Sequence, residues 1–182
     1  MYLFVATHLG SGAEILCDSL DKHPLVKKSS VTLFRSGLDL AKMKSDKAKI
    51  FYERIEYNYQ IASKYIYSEA KFIIVVRDPL TCMSGLVEMY GEHAAERYYL
   101  FRLRRLYETT RKAKNFLVVS FKDLKGDLIY EKITKFLGLK EELINTSEIH
   151  DGEIYRGENS SLLQKKYNEY LSRIKSCPVP ST

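Results

Sequence analysis

No apolar run in these 182 residues approaches the roughly 20 that a helix needs to cross a bilayer. The three cysteines, Cys17, Cys82 and Cys177, stand far apart and without metal-ligand spacing, which favours free thiols over a disulfide framework. The four histidines are equally scattered, so no metal site is expected. Internal repeats and low-complexity linkers are absent. Met1–Ala6 has no basic segment ahead of its apolar residues, and polar residues interrupt them at once. That pattern argues against a secretory leader and for a cytoplasmic location.

What is present reads as an ordinary globular chain. Apolar residues at 45% and charged residues at 29% exclude a disordered composition. The length suits one domain, expected over residues 1–175 with a flexible tail at 176–182. Lys and Arg exceed Asp and Glu by 29 to 23, a net charge of +6 that fits an anionic ligand without requiring one.

Short, nearly continuous apolar runs at Tyr2–Ala6, Lys71–Val76 and 115–121 read as strands buried on both faces, with a weaker candidate at 30–34. Helical spacing is expected at 12–22, 46–67, Pro79–Tyr90, 94–114, Asp127–Leu137 and 160–174. Pro79 suits a first helical turn and Gly138 a C-cap. Strands alternating with helices imply a parallel sheet with right-handed crossovers. Ligands of such sheets bind beyond the C-terminal strand edges, where residues 7–13 and 77–79 fall.

The first of those loops is "HLGSGAE". Gly10 and Gly12 let backbone N–H groups approach an anion at a helix N-terminus. No lysine follows Gly12, and Ile15 stands where a dinucleotide loop has its third glycine, so both common phosphate-loop signatures fail. On local grounds a phosphate loop and a plain turn stay open. In the second loop, "VVRDPL", Arg77 leaves the strand end with a planar guanidinium suited to phosphate; a surface pairing with Asp78, or Asp78 as a helix cap, is the structural alternative.

Three ordered blocks, "FVATHLGSGAEILCDSLDKHP", "VVRDPLTCMSGLVEMY" and "NFLVVSFKDLKGDLIYEKITKFLGL", together resemble sulfotransferases that use 3′-phosphoadenosine 5′-phosphosulfate (PAPS). The resemblance spans about residues 3–139 and implies a three-layer α/β/α fold with a central parallel sheet of the P-loop NTPase type. It implies that Gly10, Ser11, Gly12 and Ala13 hold the 5′-phosphosulfate through backbone N–H groups. It implies that Arg77, with Ser84 or nearby backbone, holds the 3′-phosphate, and that Arg156 in a late basic loop folds over it. No metal is implied. The sequence departs from the family at Gly10, where a basic residue is usual, and at Ala13 and Glu14, where hydroxyls are usual. Gly85 stands where the family has its serine, and Ser84 comes one residue early, an offset of about 100° on a helix.

Sulfuryl transfer needs positioning, charge stabilisation and a base for the acceptor's proton. His8 is the candidate base or sulfuryl donor contact, Glu14 the alternative, and His93 and His150 read as surface residues. The basic, tyrosine-rich stretch 94–114 reads as a helix with Leu100, Leu103 and Tyr107 buried and its charges solvated, which weighs against a nucleic-acid partner. The expected partner is a carbohydrate or small-molecule acceptor. A sulfotransferase-like binding domain without turnover is the rival reading, followed by a P-loop-related kinase.

Overall fold

The computed structural model describes residues 1–29, 49–55, 69–144 and 154–176. The expected strand at 30–34, His150 and the chain beyond 176 lie outside them. Five parallel strands form one sheet: β1 (Tyr2–Ala6), β2 (Val26–Lys28), β3 (Ile50–Ile55), β4 (Lys71–Val76) and β5 (Asn115–Ser120), in the order β2-β3-β1-β4-β5. Helices α1 (Ala13–Lys22), α2 (Pro79–Tyr90), α3 (Glu92–Lys112), α4 (Asp127–Leu137) and α5 (Ser160–Lys175) cover it.

The period-two alternation of the strands divides the core into two layers. Phe4, Ala6, Phe72, Ile74 and Val76 face Met83, Leu86, Tyr99, Leu103 and Leu106, on the side of α2, α3 and α5. Leu3, Val5, Ile73, Val75 and Val119 face Leu16, Leu20, Ile129 and Ile133, on the side of α1 and α4. Both faces of the central strands are therefore apolar, which is why they read as unbroken runs. Each such side chain, fully buried, contributes about 1.5–3 kcal/mol of transfer free energy.

Local chemistry sets the helix ends near the rim. Asp78 caps α2, its carboxylate accepting from the Leu80 N–H at 2.9 Å, and Pro79 occupies the first turn. Gly138 closes α4 at φ 72°, its N–H donating to the Thr134 and Lys135 carbonyls. Among the described residues, no helix is long and apolar enough to cross a membrane.

Three expectations need correction. Residues 46–67 are not one helix, because Ile50–Ile55 pairs in parallel with β1. Tyr52 there is fully buried and donates its hydroxyl to Asp21 at 2.7 Å, so a tertiary partner decides what local pattern left as helix. β2, only three residues long, carries no pattern of its own. In α3 the buried stripe is Ala95, Tyr99, Arg102, Leu103, Leu106 and Thr110, while Leu100 and Tyr107 are half-buried. Arg102, expected in solvent, is 1% exposed.

Candidate active site

The C-terminal ends of β1, β4 and β5 deliver three segments to one rim: Thr7–Gly12, Arg77–Asp78 and Phe121–Lys125. In the first, Gly10 and Gly12 have φ of 72° and 79°, while Ser11 between them keeps a negative φ. Such alternation of backbone handedness points N–H groups into a shared concavity suited to an anion. Two of the four expected donors are engaged within the turn. Ser11 N–H donates to the His8 carbonyl at 3.2 Å, and Ala13 N–H to the Ser11 hydroxyl at 3.2 Å. The N–H groups of Gly10, Gly12 and Glu14 have no protein acceptor among the described residues. They lie at the N-terminus of α1, whose dipole favours negative charge.

Neither loop glycine is interchangeable with alanine. A Cβ on Gly12 would fall 2.4 Å from Cδ2 of Phe121, while one on Gly10 would meet Cys82 at 3.6 Å, an ordinary contact. Ser11 is fully buried and its hydroxyl pairs with that of Thr7, so it braces the loop from beneath.

Arg77 bridges the three segments. Its Nε donates to the Thr81 hydroxyl at 3.2 Å and its Nη1 to the Gly10 carbonyl at 3.2 Å. The guanidinium lies 3.8 Å from the centroid of the Phe121 ring, and Lys125 Nζ lies 5.7 Å from the same ring. Stacking on an aromatic face leaves the in-plane direction of a guanidinium's N–H groups available for hydrogen bonding. Of the two structural alternatives the cap is present: Asp78 caps α2, and it also accepts from Gln164 at 2.8 Å.

Sequence reasoning missed Phe121, Thr81 and Lys125. A signal for Phe121 existed, since it ends the apolar run 115–121 read as a strand. Thr81 lies four residues past Arg77 on a helix, and Ser84 and Gly85 continue its stripe at i+3 and i+4. Ser84 is half-buried there.

His8 sits elsewhere than a base at the rim requires. It has no exposed surface; its Nδ1 pairs with its neighbour's carbonyl, Leu9, at 2.9 Å, and its Nε2 accepts the Arg77 N–H at 3.1 Å. Burial holds its pKa down near 4, with Arg102 and Arg77 adding to the effect and the Leu9 bond opposing it. In this conformation the imidazole meets no acceptor hydroxyl. Glu14 is exposed on the first turn of α1, 3.5 Å from Arg54. His93 is exposed as expected.

Helix α3 supports both loops from below. Leu9 N–H donates to the Tyr98 hydroxyl at 2.9 Å, the Tyr99 hydroxyl donates to the Arg77 carbonyl at 2.6 Å, and Arg102 donates to the Thr7 carbonyl. The stretch read as a solvated basic helix is therefore the scaffold of the site.

Arg156 is exposed in a segment fastened to the same rim. Tyr155 N–H donates to the Leu80 carbonyl at 2.7 Å, in the first turn of α2. The Tyr155 hydroxyl donates to Glu92, and Asn159 donates to Glu96 at 3.1 Å. Beside this segment a groove of about 630 Å³ runs between Leu80 and the α5 residues Ser160, Gln164 and Asn168. Among the described residues no group of His, Cys, Asp and Glu side chains is arranged to hold a metal ion.

The parallel order and the helices on both faces of the sheet define a three-layer α/β/α domain, with the glycine loop on the central strand and the second loop on its neighbour. In sequence comparison, no protein-family description and no curated protein matches the chain. In structural comparison, the chain is similar to mouse sulfotransferase SULT7A1, solved in complex with PAP, with a TM-score of 0.54 and 18% identity. That match covers 96% of this chain and 66% of the mouse one, so the chain spans just under two thirds of that protein's length. It is also similar to a sulfotransferase from Alicyclobacillus acidocaldarius, with a TM-score of 0.59 and 11% identity, covering 96% of this chain and 94% of that one. The fold is therefore sulfotransferase-like.

Proposed function

We propose that this protein is a sulfotransferase that moves the sulfuryl group of PAPS to a hydroxyl of a carbohydrate or small molecule. One observation carries the reading. Arg77, stacked on Phe121, reaches across to the Gly10 carbonyl of a loop whose Gly10, Gly12 and Glu14 N–H groups open at a helix N-terminus. In this reading those N–H groups hold the 5′-phosphosulfate, and Arg77, with the Ser84 side of α2 and Arg156, holds the 3′-phosphate. PAPS supplies the activated sulfur. The acceptor oxygen forms the new S–O bond as the bond to the phosphate oxygen breaks, PAP leaves, and the acceptor's proton passes to a base. Gly10 brings no charge to the loop, so the peptide dipoles at the start of α1 carry the stabilisation of the departing 5′-phosphate.

A second reading, a binding domain of the same fold without turnover, is favoured by two features: the buried, doubly engaged imidazole of His8 and the absent side chain at Gly10.

Calorimetric titration with PAP beside AMP, ATP and a short DNA separates the possibilities. PAP binding that weakens about thirtyfold in Arg77→Ala, yet stays within reach of the titration, is the expected result. Binding of ATP or DNA in place of PAP would overturn the proposal, and turnover of PAPS across an acceptor screen distinguishes enzyme from binding domain.

A further inference from the structure

The registered pairing between β1 and β4 ends at Ala6 and Ile74. Arg77 leaves the sheet there, with its N–H and carbonyl both held by side chains. The N–H donates to His8 Nε2 at 3.1 Å, and the carbonyl accepts from the Tyr99 hydroxyl at 2.6 Å. The two side chains also touch each other, their rings edge to face with centroids 5.2 Å apart. Arg77 thus closes a ring of contacts made by two fully buried residues from different elements.

The hydrogen-bond pattern fixes the protonation state of this ring. The Leu9 carbonyl can only accept, so His8 Nδ1 carries the proton and Nε2 offers its lone pair to Arg77. Leu9 is itself held through its N–H by Tyr98, the residue before Tyr99. One turn of α3 therefore anchors both the glycine loop and the strand end that carries the arginine.

We propose that His8 and Tyr99 are positioning residues, a two-sided clamp on the backbone of Arg77 that aims its guanidinium across the anion-binding loop. The clamp fixes the peptides on both sides of the Arg77 Cα, and so the direction in which the side chain departs. What remains adjustable are the bonds to the Thr81 hydroxyl and the Gly10 carbonyl. An incoming anion can replace both without disturbing the backbone. Orientation set before binding is entropy that the ligand does not have to supply. This inference rests on the reading of Arg77 as a nucleotide contact, although the clamp itself exists in the ligand-free chain.

The test uses the full chain with Tyr99→Phe, His8→Gln and His8→Leu, each also in the Arg77→Ala background. Glutamine keeps an acceptor near the Nε2 position and leucine removes it; Tyr99→Phe deletes only the hydroxyl. Two measurements are made, amide hydrogen exchange at Arg77 without ligand and calorimetric titration with PAP. Exchange at Arg77 is expected to accelerate at least about tenfold in His8→Leu, with most of the protection restored in His8→Gln. PAP binding is expected to weaken about fivefold in Tyr99→Phe and about tenfold in His8→Leu, and both losses should vanish when Arg77 is alanine. Equal losses in both backgrounds would show general softening of the core and overturn the proposal. Should His8→Leu not fold, a PAP affinity unchanged in Tyr99→Phe overturns it. A wild-type chain that protects the Arg77 amide but binds no PAP would instead sink the nucleotide reading and leave the clamp standing.

Discussion

The guanidinium of Arg77 rests 3.8 Å from the centroid of the Phe121 ring, and the same ring would collide with any Cβ placed on Gly12. One buried aromatic thus holds the arginine at the end of β4 and shapes the turn of the glycine loop. Phe121→Leu removes the stacking face and part of the buried area. It is expected to lower stability by about 1–2 kcal/mol. PAP binding should weaken by about three- to tenfold, from the loss of cation–π support. Denaturant unfolding and calorimetry read the two effects; an unchanged PAP affinity would mean that Arg77 is oriented without the ring.

The glycines offer a sharper comparison, because several of them share nearly the same φ. Gly10, Gly12 and Gly138 all have φ between 72° and 79°, yet a Cβ would meet Cys82 in ordinary contact at Gly10, Phe121 at 2.4 Å at Gly12, and nothing at Gly138. Alanine at Gly10 or Gly138 should cost about 1 kcal/mol, the left-handed backbone alone. Gly12→Ala should cost about 2–4 kcal/mol, since overpacking adds to it. Combined with Phe121→Leu, the Gly12→Ala loss should shrink, as expected for residues in contact. Equal unfolding free energies for the three single variants would contradict the geometry.

His8 makes stability depend on pH in a direction that can be stated. Its ordinary pKa of 6.5 is depressed to about 4 in the fold, first by burial. The unfolded chain therefore takes up the proton before the folded one. The stabilisation from a neutral His8 is complete above 6.5 and is lost as pH falls from 6.5 through about 4. Its size is on the order of 3 kcal/mol. His8→Gln cannot titrate, so urea unfolding measured between about pH 4 and 7 should show a shallower slope than the wild type. Parallel slopes would show that the imidazole is not held neutral.

Much of the fold was legible in the sequence, and the misses have physical causes. The strands at Tyr2–Ala6 and Lys71–Val76 could be bounded because helices on both faces make every residue after the first apolar. Asp78–Pro79 and Gly138 marked helix ends through backbone preferences that act locally. Ile50–Ile55 was hidden because only its partner β1 makes it a strand. Helix α3 was misjudged because tyrosine and arginine carry polar tips on long apolar stems, so composition does not reveal which face is buried. His8 was placed at the rim from its position in the loop alone. Extending the alternation of Phe4 and Ala6 by one more step puts it instead on the α3 side of the sheet, beside Tyr99.

Gly85 offers a gain rather than a loss. It lies in the middle of α2, four residues past Thr81, whose hydroxyl engages Arg77. Those positions share a helical stripe, and a Cβ on Gly85 would meet nothing within 4 Å. Serine therefore fits without displacing a neighbour, and replacing an interior helical glycine should stabilise the fold by about 0.5 kcal/mol. If α2 lines the 3′-phosphate site, the new hydroxyl adds a donor there, and PAP should bind about fivefold more tightly to Gly85→Ser. Gly85→Ala controls for the helix: it should raise stability by up to about 1 kcal/mol and leave PAP affinity unchanged. AMP, which has no 3′-phosphate, should bind wild type and Gly85→Ser alike. A gain shared by AMP or by the alanine variant would mean that this face of α2 does not reach the 3′-phosphate.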